Sequence, residues 1–315
     1  MPDRSPQNAP RSRIVLALAT VYVIWGSTYL AIRFAIETLP PLLMIGSRFL
    51  IAGLILYAVV RARGVPAPTR TNWLSASLIG VMLLSCGTGV VVWAEERVAS
   101  GIAALLVSVV PLWMVLIDWL RPRGRKPNAW VTSGVVAGLA GLWILADPLS
   151  GGGTRSLFVE AMLMLAALSW AAGSVYSKYA PLPESKFLTT AVEMLAGGAA
   201  LLLVGLLTGE LGQLHPGAVS TRSTLALLYL IVFGSLVAFS AYVWLLHAVS
   251  PALVSTYAFV NPIVAVFLGW AFASEPVTIR TAIAAAIIIG GVALITIGGK
   301  DEASSRSPAS GSRSR

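Results

Sequence analysis

Two oppositely charged residues lie deep inside apolar runs of this sequence: Arg48, in LLMIGSRFLIAGLILYAVV, and Glu193, in FLTTAVEMLAGGAALLLVGLL. An ion in hydrocarbon is costly and persists where it pairs, meets backbone carbonyls or faces a water-filled cavity. Each is therefore a candidate for substrate binding or gating, and a structural ion pair explains the same two residues equally well. A second set is aromatic and amide: Trp25, Tyr29, Trp93, Trp170, Tyr257 and Asn261. Large amphipathic rings hold an apolar or cationic ligand while keeping a hydrogen-bonding handle. Asn261 stands directly before Pro262, and an amide is expensive in lipid unless the helix there bends into a cavity. Trp73, Trp119, Trp130 and Trp270 fall at the ends of apolar runs and fit an interfacial belt. Pro111 and Pro262 read as hinges, with simple packing bends as the plainer explanation. Glu95, Glu96 and Asp118 are candidate proton sites, although solvated interfacial groups account for them as well.

Nothing in the sequence suggests catalysis. The two histidines, His215 and His247, are too far apart for an HExxH-type metal site, and no GxxxxGK[ST] loop exists for ATP. Gly151-Gly152-Gly153 is an isolated linker rather than a phosphate cradle. The single cysteine, Cys86, excludes an intramolecular disulfide and a cysteine-based metal cluster, and is expected to be a small buried packing residue. No cofactor and no metal are expected.

The elements that must position these residues follow from composition. The chain of 315 residues is 57% hydrophobic and 11% charged, with a mean hydropathy of +0.83. Soluble chains carry about 25% charged residues, so most of this one belongs in a bilayer. The formal net charge of +9 would raise nucleic acid as a partner in a soluble domain. Here the basic residues lie between apolar runs and match the loop asymmetry of a membrane protein. Ten segments approach the ~20 residues that cross the hydrocarbon: about 14–36, 39–60, 73–92, 98–120, 128–146, 157–179, 187–208, 223–247, 251–271 and 278–297. Ser250-Pro251 supplies an N-cap and a first-turn proline for the ninth. The apolar run 14–19 before Ala17-x-Ala19 is too short for a cleaved signal, so the first helix is expected to be retained. Sixteen Lys and Arg residues fall on the amino-terminal side and five on the other, with Arg48 alone inside a span. That asymmetry places both termini in the cytoplasm.

The chain also repeats itself. Residues 98–120, VASGIAALLVSVVPLWMVLIDWL, align with 249–271 at an offset of 151, so that Pro111 falls on Pro262 and Trp119 on Trp270. Trp25 matches Trp170, and Arg48 matches Glu193, at 145; Gly141 matches Gly291 at 150. Each half holds five spans. Five is odd, so the second half enters the membrane from the opposite side, which is the inverted-repeat plan of many secondary transporters. Gly134 and Gly138 form a GxxxG spacing that close helix packing explains fully.

WGSTYLAIRFA at 25–35, SRF at 47–49 and ERVASGIAALLVSVVPLWMVLIDWL at 96–120 resemble the EamA family of the drug/metabolite transporter superfamily, and are similar to its YedA-type bacterial inner-membrane exporters. The second half carries the family's acidic turn at Ser274-Glu275-Pro276. The first half departs from it, with Arg123-Gly124-Arg125-Lys126 at the matching place. The resemblance implies ten helices, a central cavity and export of small polar or amphiphilic metabolites. The expectation is thus an all-α integral membrane protein of ten transmembrane helices in two inverted five-helix repeats. Residues 1–13 form a cytoplasmic tail, 14–146 the first repeat, 147–156 a linker, 157–297 the second repeat and 298–315 a disordered cytoplasmic tail. The partners are a small-molecule substrate such as an amino acid, a related compound or a drug, the lipid bilayer, and protons as a candidate coupling ion, in a monomer or homodimer. Uptake instead of export stays open. So does a lipid-acting enzyme, which would need a His, Asp or Ser cluster at one interface, or a sensor, which would need a longer tail.

Overall fold

The computed structural model describes residues 10–120, 128–146, 154–248 and 257–304. Among them the chain is all-helical. The helices are α1 (Arg11–Ala35), α2 (Pro41–Ala62), α3 (Arg70–Glu95), α4 (Ser100–Val107 continuing as Val110–Leu120), α5 (Ala129–Ala146), α6 (Thr154–Tyr176), α7 (Lys186–Leu207), α8 (221–248), α9 (Tyr257–Ala273) and α10 (Ile279–Ser304). Six of them are long and apolar enough to cross a membrane: α1, α2, α3, α6, α7 and α8. Shorter apolar helices lie within α4, α5, α9 and α10.

Local chemistry sets the helix starts. Pro41 occupies the first turn of α2, where a missing N–H costs nothing. Thr69 and Asn72 form a capping box at α3, and Ser185 and Ser220 cap α7 and α8 through the backbone N–H groups of Leu188 and Ser223. Two helices change pitch midway: Val81–Gly89 of α3 and Leu230–Phe239 of α8 are π-helical, and their starts lie 149 residues apart. The carbonyls such wide turns displace find side-chain donors. Ser169 Oγ donates to Met82 O at 2.8 Å, and Trp25 Nε1 donates to Gly234 O at 3.3 Å.

Packing is symmetric under exchange of the two halves. α2 lies along α7 and α5 along α10; α1 packs on α8 and α9 while α6 packs on α3 and α4. Small residues permit the closest of these approaches. A Cβ on Gly291 would stand 2.7 Å from Gly134 O and 2.8 Å from the Gly138 N, so the GxxxG spacing of α5 receives α10. Two apolar clusters form the interior, one around Ile32, Ile45, Phe49 and Leu230, the other around Val91, Leu105, Leu163 and Ile288. Trp170 and Tyr257 pack against both. The outer surface is apolar too, with Leu203, Leu207 and Phe267 more than half exposed at 57%, 78% and 58%, as a lipid-facing surface requires.

Several expectations need correction. Cys86 is exposed rather than buried; in a membrane helix an apolar run marks the lipid face as readily as the interior. α10 runs on to Ser304, so residues 298–304 are helical rather than tail. Gly298 does not stop the helix because it docks on α5, where Asn128 Nδ2 donates to its carbonyl at 2.9 Å. The two prolines also differ. α4 is interrupted at Ser108 and Val109, just before Pro111, whereas Pro262 sits within the continuous α9. The basic turn at 123–126, the start of the ninth segment at 250–251 and most of the 147–156 linker lie outside the described residues, as do 1–9 and 305–315 of the two tails.

Candidate functional site

Seven helices, α1, α2, α3, α4, α6, α8 and α9, surround a cavity of about 120 Å³ at the seam between the two apolar clusters. An apolar cavity of about 150 Å³ holds a benzene ring, so this space is of single-ring size. Of the residues singled out in the sequence, Trp25, Tyr29, Arg48, Trp170, Tyr257, Asn261 and Pro262 line it. The sequence spreads them over 238 positions, and the fold brings them to one place.

The aromatic wall is a connected set. Trp25 is edge-on to Trp170, with centroids 6.1 Å apart, and edge-on to Tyr257 at 5.3 Å. Tyr242, which the sequence reading did not single out, stands behind both Trp25 and Tyr257 at 4.8 and 5.7 Å. Asn261 is buried at 6% exposure. With its NH2 group turned toward them, it donates to the carbonyls of Tyr22 and Tyr257 at 3.2 and 3.3 Å and ties α9 to α1.

Arg48 is the charged member of the lining. Its Nε donates to Ser235 Oγ of α8 at 2.9 Å, and its Cζ lies 4.9 Å from the centroid of the Phe49 ring. The residue is 4% exposed, and Nη1 is buried with no hydrogen-bond partner. Gly234 gives the guanidinium its room, since a Cβ there would fall 2.7 Å from Nη2.

Three expected site residues lie elsewhere. Glu193, also 4% exposed, sits where α7 meets Gly80 of α3, away from the cavity lining. Among the described residues no ion pair joins it to Arg48. Equivalent places in a repeat put two side chains at related depths and not in contact. Trp93 lies near the end of α3, under the Arg97 guanidinium at 4.3 Å and edge-on to Phe158 of α6 at 6.2 Å. Pro111 is buried in the first turn of the second segment of α4, outside the lining.

Thr28, Gly87, Thr88, Ser108 and Phe239 also line the cavity, and Ser235 holds Arg48, though the sequence reading did not single them out. The run Gly87-Thr88-Gly89, small and polar within an apolar span, was a usable signal. Phe239 offered none, because nothing in its sequence context separates it from packing residues.

One end of the helix bundle is fastened by polar contacts between the halves. Glu275 accepts from Ser100 N and Ser100 Oγ, both at 2.9 Å, and from Gly101 N at 3.3 Å, capping α4. Glu210 accepts from Leu42 N and Leu43 N at 3.2 and 2.9 Å, capping α2. Carboxylates at helix N-termini meet both unpaired N–H groups and the positive end of the helix dipole. Arg222 pairs with Glu37 at 3.3 Å, and Ser223 Oγ donates to Phe34 O at 2.8 Å. At the same end, within the first half, Arg33 Nη1 donates to the carbonyl of Glu95 at 3.1 Å. The Glu95 side chain is fully buried, and neither carboxylate oxygen has a hydrogen-bond partner. Glu96, beside it, is half-exposed and paired with Arg97 at 2.6 Å. The solvated interfacial setting thus fits Glu96 and not Glu95.

Comparison with known proteins agrees with this architecture. Residues 12–146 and 157–297 each match the EamA-like transporter family. The chain is 40% identical over 285 residues to the uncharacterized inner membrane transporter YedA of Escherichia coli (strain K12), covering 90% of each protein. It is 26% identical over 290 residues to the uncharacterized transporter YoaV of Bacillus subtilis (strain 168), covering 90% of this chain and 97% of that one. A solved crystal structure shares the fold at a TM-score of 0.64 and 22% identity, over 91% of this chain and 98% of its own.

Proposed function

Because this chain belongs to the EamA-like transporter family, we propose that it is a secondary carrier that exports small metabolites, such as amino acids or related compounds, across the inner membrane. A multi-pass membrane transporter needs a polar site that lipid cannot reach. The observation that carries this reading is the seven-helix cavity with a buried Arg48 and Asn261 among Trp25, Trp170 and Tyr257.

The mechanism is alternating access between two inverted repeats of five spans, 14–146 and 157–297, with both termini in the cytoplasm. Three features support it. The halves pack with exchange symmetry, π-helical turns recur in the third helix of each, and basic residues concentrate on one side. In that orientation the fastened end, with Glu275 on α4 and Glu210 on α2, faces outward and acts as the outer gate. Trp25, Tyr29, Arg48, Trp170, Tyr257 and Asn261 bind the substrate. Glu193 and Trp93 act on the packing around it, and the interrupted α4 and Pro262 in α9 absorb the bend when the gate opens. Protons are the coupling ion, exchanged at Glu95, which has Glu275, Arg33 and Tyr29 within electrostatic reach.

Counterflow and efflux of a labelled metabolite panel from liposomes holding the purified protein test this function. Saturable movement of at least one compound, lost in folded Asn261→Ala, is the expected result. No movement across a broad panel would remove the carrier reading.

A further inference from the structure

Resting on the carrier reading, the geometry points to a substrate class: we propose that the cavity takes a small organic anion, a carboxylate on an apolar body of about one ring, with Arg48 as the anion-binding residue. A guanidinium offers five N–H donors in a planar fork matched to a carboxylate. Here Nε is used by Ser235, while Nη1 is buried and unpartnered in a residue that lines the cavity. A buried charge normally comes with a counter-charge. Among the described residues none is present: no Asp or Glu lines the cavity, and Glu193, the acidic residue that matches Arg48 in the repeat, makes no ion pair with it. The substrate supplies it.

The rest of the lining fits the remainder of such a molecule. Trp25, Trp170 and Tyr257 present ring faces and edges to a flat apolar body. The uncompensated positive charge disfavours amines, although the same aromatic wall taken alone would suit a cation. Phe49 and Gly234 keep the guanidinium close against α2 and α8, so its fork is oriented before the ligand arrives.

Equilibrium binding of benzoate, benzamide and benzylamine to the purified protein in detergent tests the assignment, because the three differ in charge and hardly in shape. Benzoate is expected to bind at least about tenfold more tightly than benzamide, a difference of about 1.4 kcal/mol, and benzylamine weakest of all. Arg48→Lys, which keeps the charge and loses the fork, should weaken benzoate and spare benzamide. The wild-type comparison stands even if an Arg48 variant does not fold. Absence of benzoate binding, or benzamide or benzylamine binding as tightly, overturns the anion site. If neutral or cationic compounds nevertheless cross liposomes saturably, the carrier survives that result. Benzoate binding without flux of any compound keeps the anion site and removes the carrier.

Discussion

Glu95 has a carboxylate with no exposure and no hydrogen-bond donor on either oxygen, while its own backbone carbonyl accepts from Arg33 and joins α1 to α3. Such a group can exchange a proton with water only when the helices around it part, which is why the proposed proton coupling is placed at Glu95. Glu95→Gln should therefore keep substrate counterflow, which needs no net proton, and lose stimulation of efflux by an imposed pH gradient. Retained gradient stimulation in that variant would make Glu95 structural. At this scale the sequence was informative where a polar group interrupts an apolar run: Arg48 and Asn261 stood out for that reason, and both line the cavity. It misled for Trp93, because a tryptophan one turn before Arg97 reads the same whether it faces a cavity or stacks beneath a guanidinium. Ser235 could not be found, since a serine in a membrane helix usually bonds its own backbone, and only the fold shows that it meets Arg48.

At the scale of elements, two kinds of contact carry most weight: glycine faces that let helices touch, and carboxylates that cap helix ends. The neighbours Gly290 and Gly291 separate the first from simple helix propensity. A Cβ on Gly290 meets nothing within 4 Å, whereas one on Gly291 meets the α5 backbone at 2.7 Å. Gly290→Ala should thus be neutral or stabilising by up to about 1 kcal/mol, and Gly291→Ala should cost about 1–3 kcal/mol. Thermal unfolding in detergent compares the two, and equal effects would mean that α5 and α10 are not held by this contact. Glu275→Ala removes the acceptor of three hydrogen bonds at the start of α4. It should cost about 1–2 kcal/mol and speed hydrogen exchange at Ser100 and Gly101. Helix existence was legible from apolar length and turn residues, and most boundaries fall within a few residues of the expected ones. The π-helical turns at 81–89 and 230–239 were not, because their cause is tertiary: Ser169 and Trp25 supply the donors their carbonyls need.

At the scale of the whole molecule, the internal repeat is the strongest message of the sequence, and the exchange-symmetric packing of α2 with α7 and α5 with α10 is its counterpart in space. The proposed orientation, with both termini in the cytoplasm, rests on positive-charge asymmetry. A fluorescent protein fused to the C-terminus should fluoresce and alkaline phosphatase fused there should be inactive; an active phosphatase fusion would reverse the orientation and make the fastened end the cytoplasmic gate. What the linear pattern could not convey is which end is closed, since that depends on Glu275 reaching α4 and Glu210 reaching α2 across the halves. Alternating access demands that this fastening open once per cycle. The most direct measurement is efflux from liposomes by Ser100→Cys/Glu275→Cys protein, with Cys86→Ser to remove the native thiol, before and after joining the pair with a reducible bifunctional cross-linker. Transport that stops on cross-linking and returns on reduction is the result expected of a gate at this end. Efflux at an undiminished rate through the cross-linked protein would contradict it.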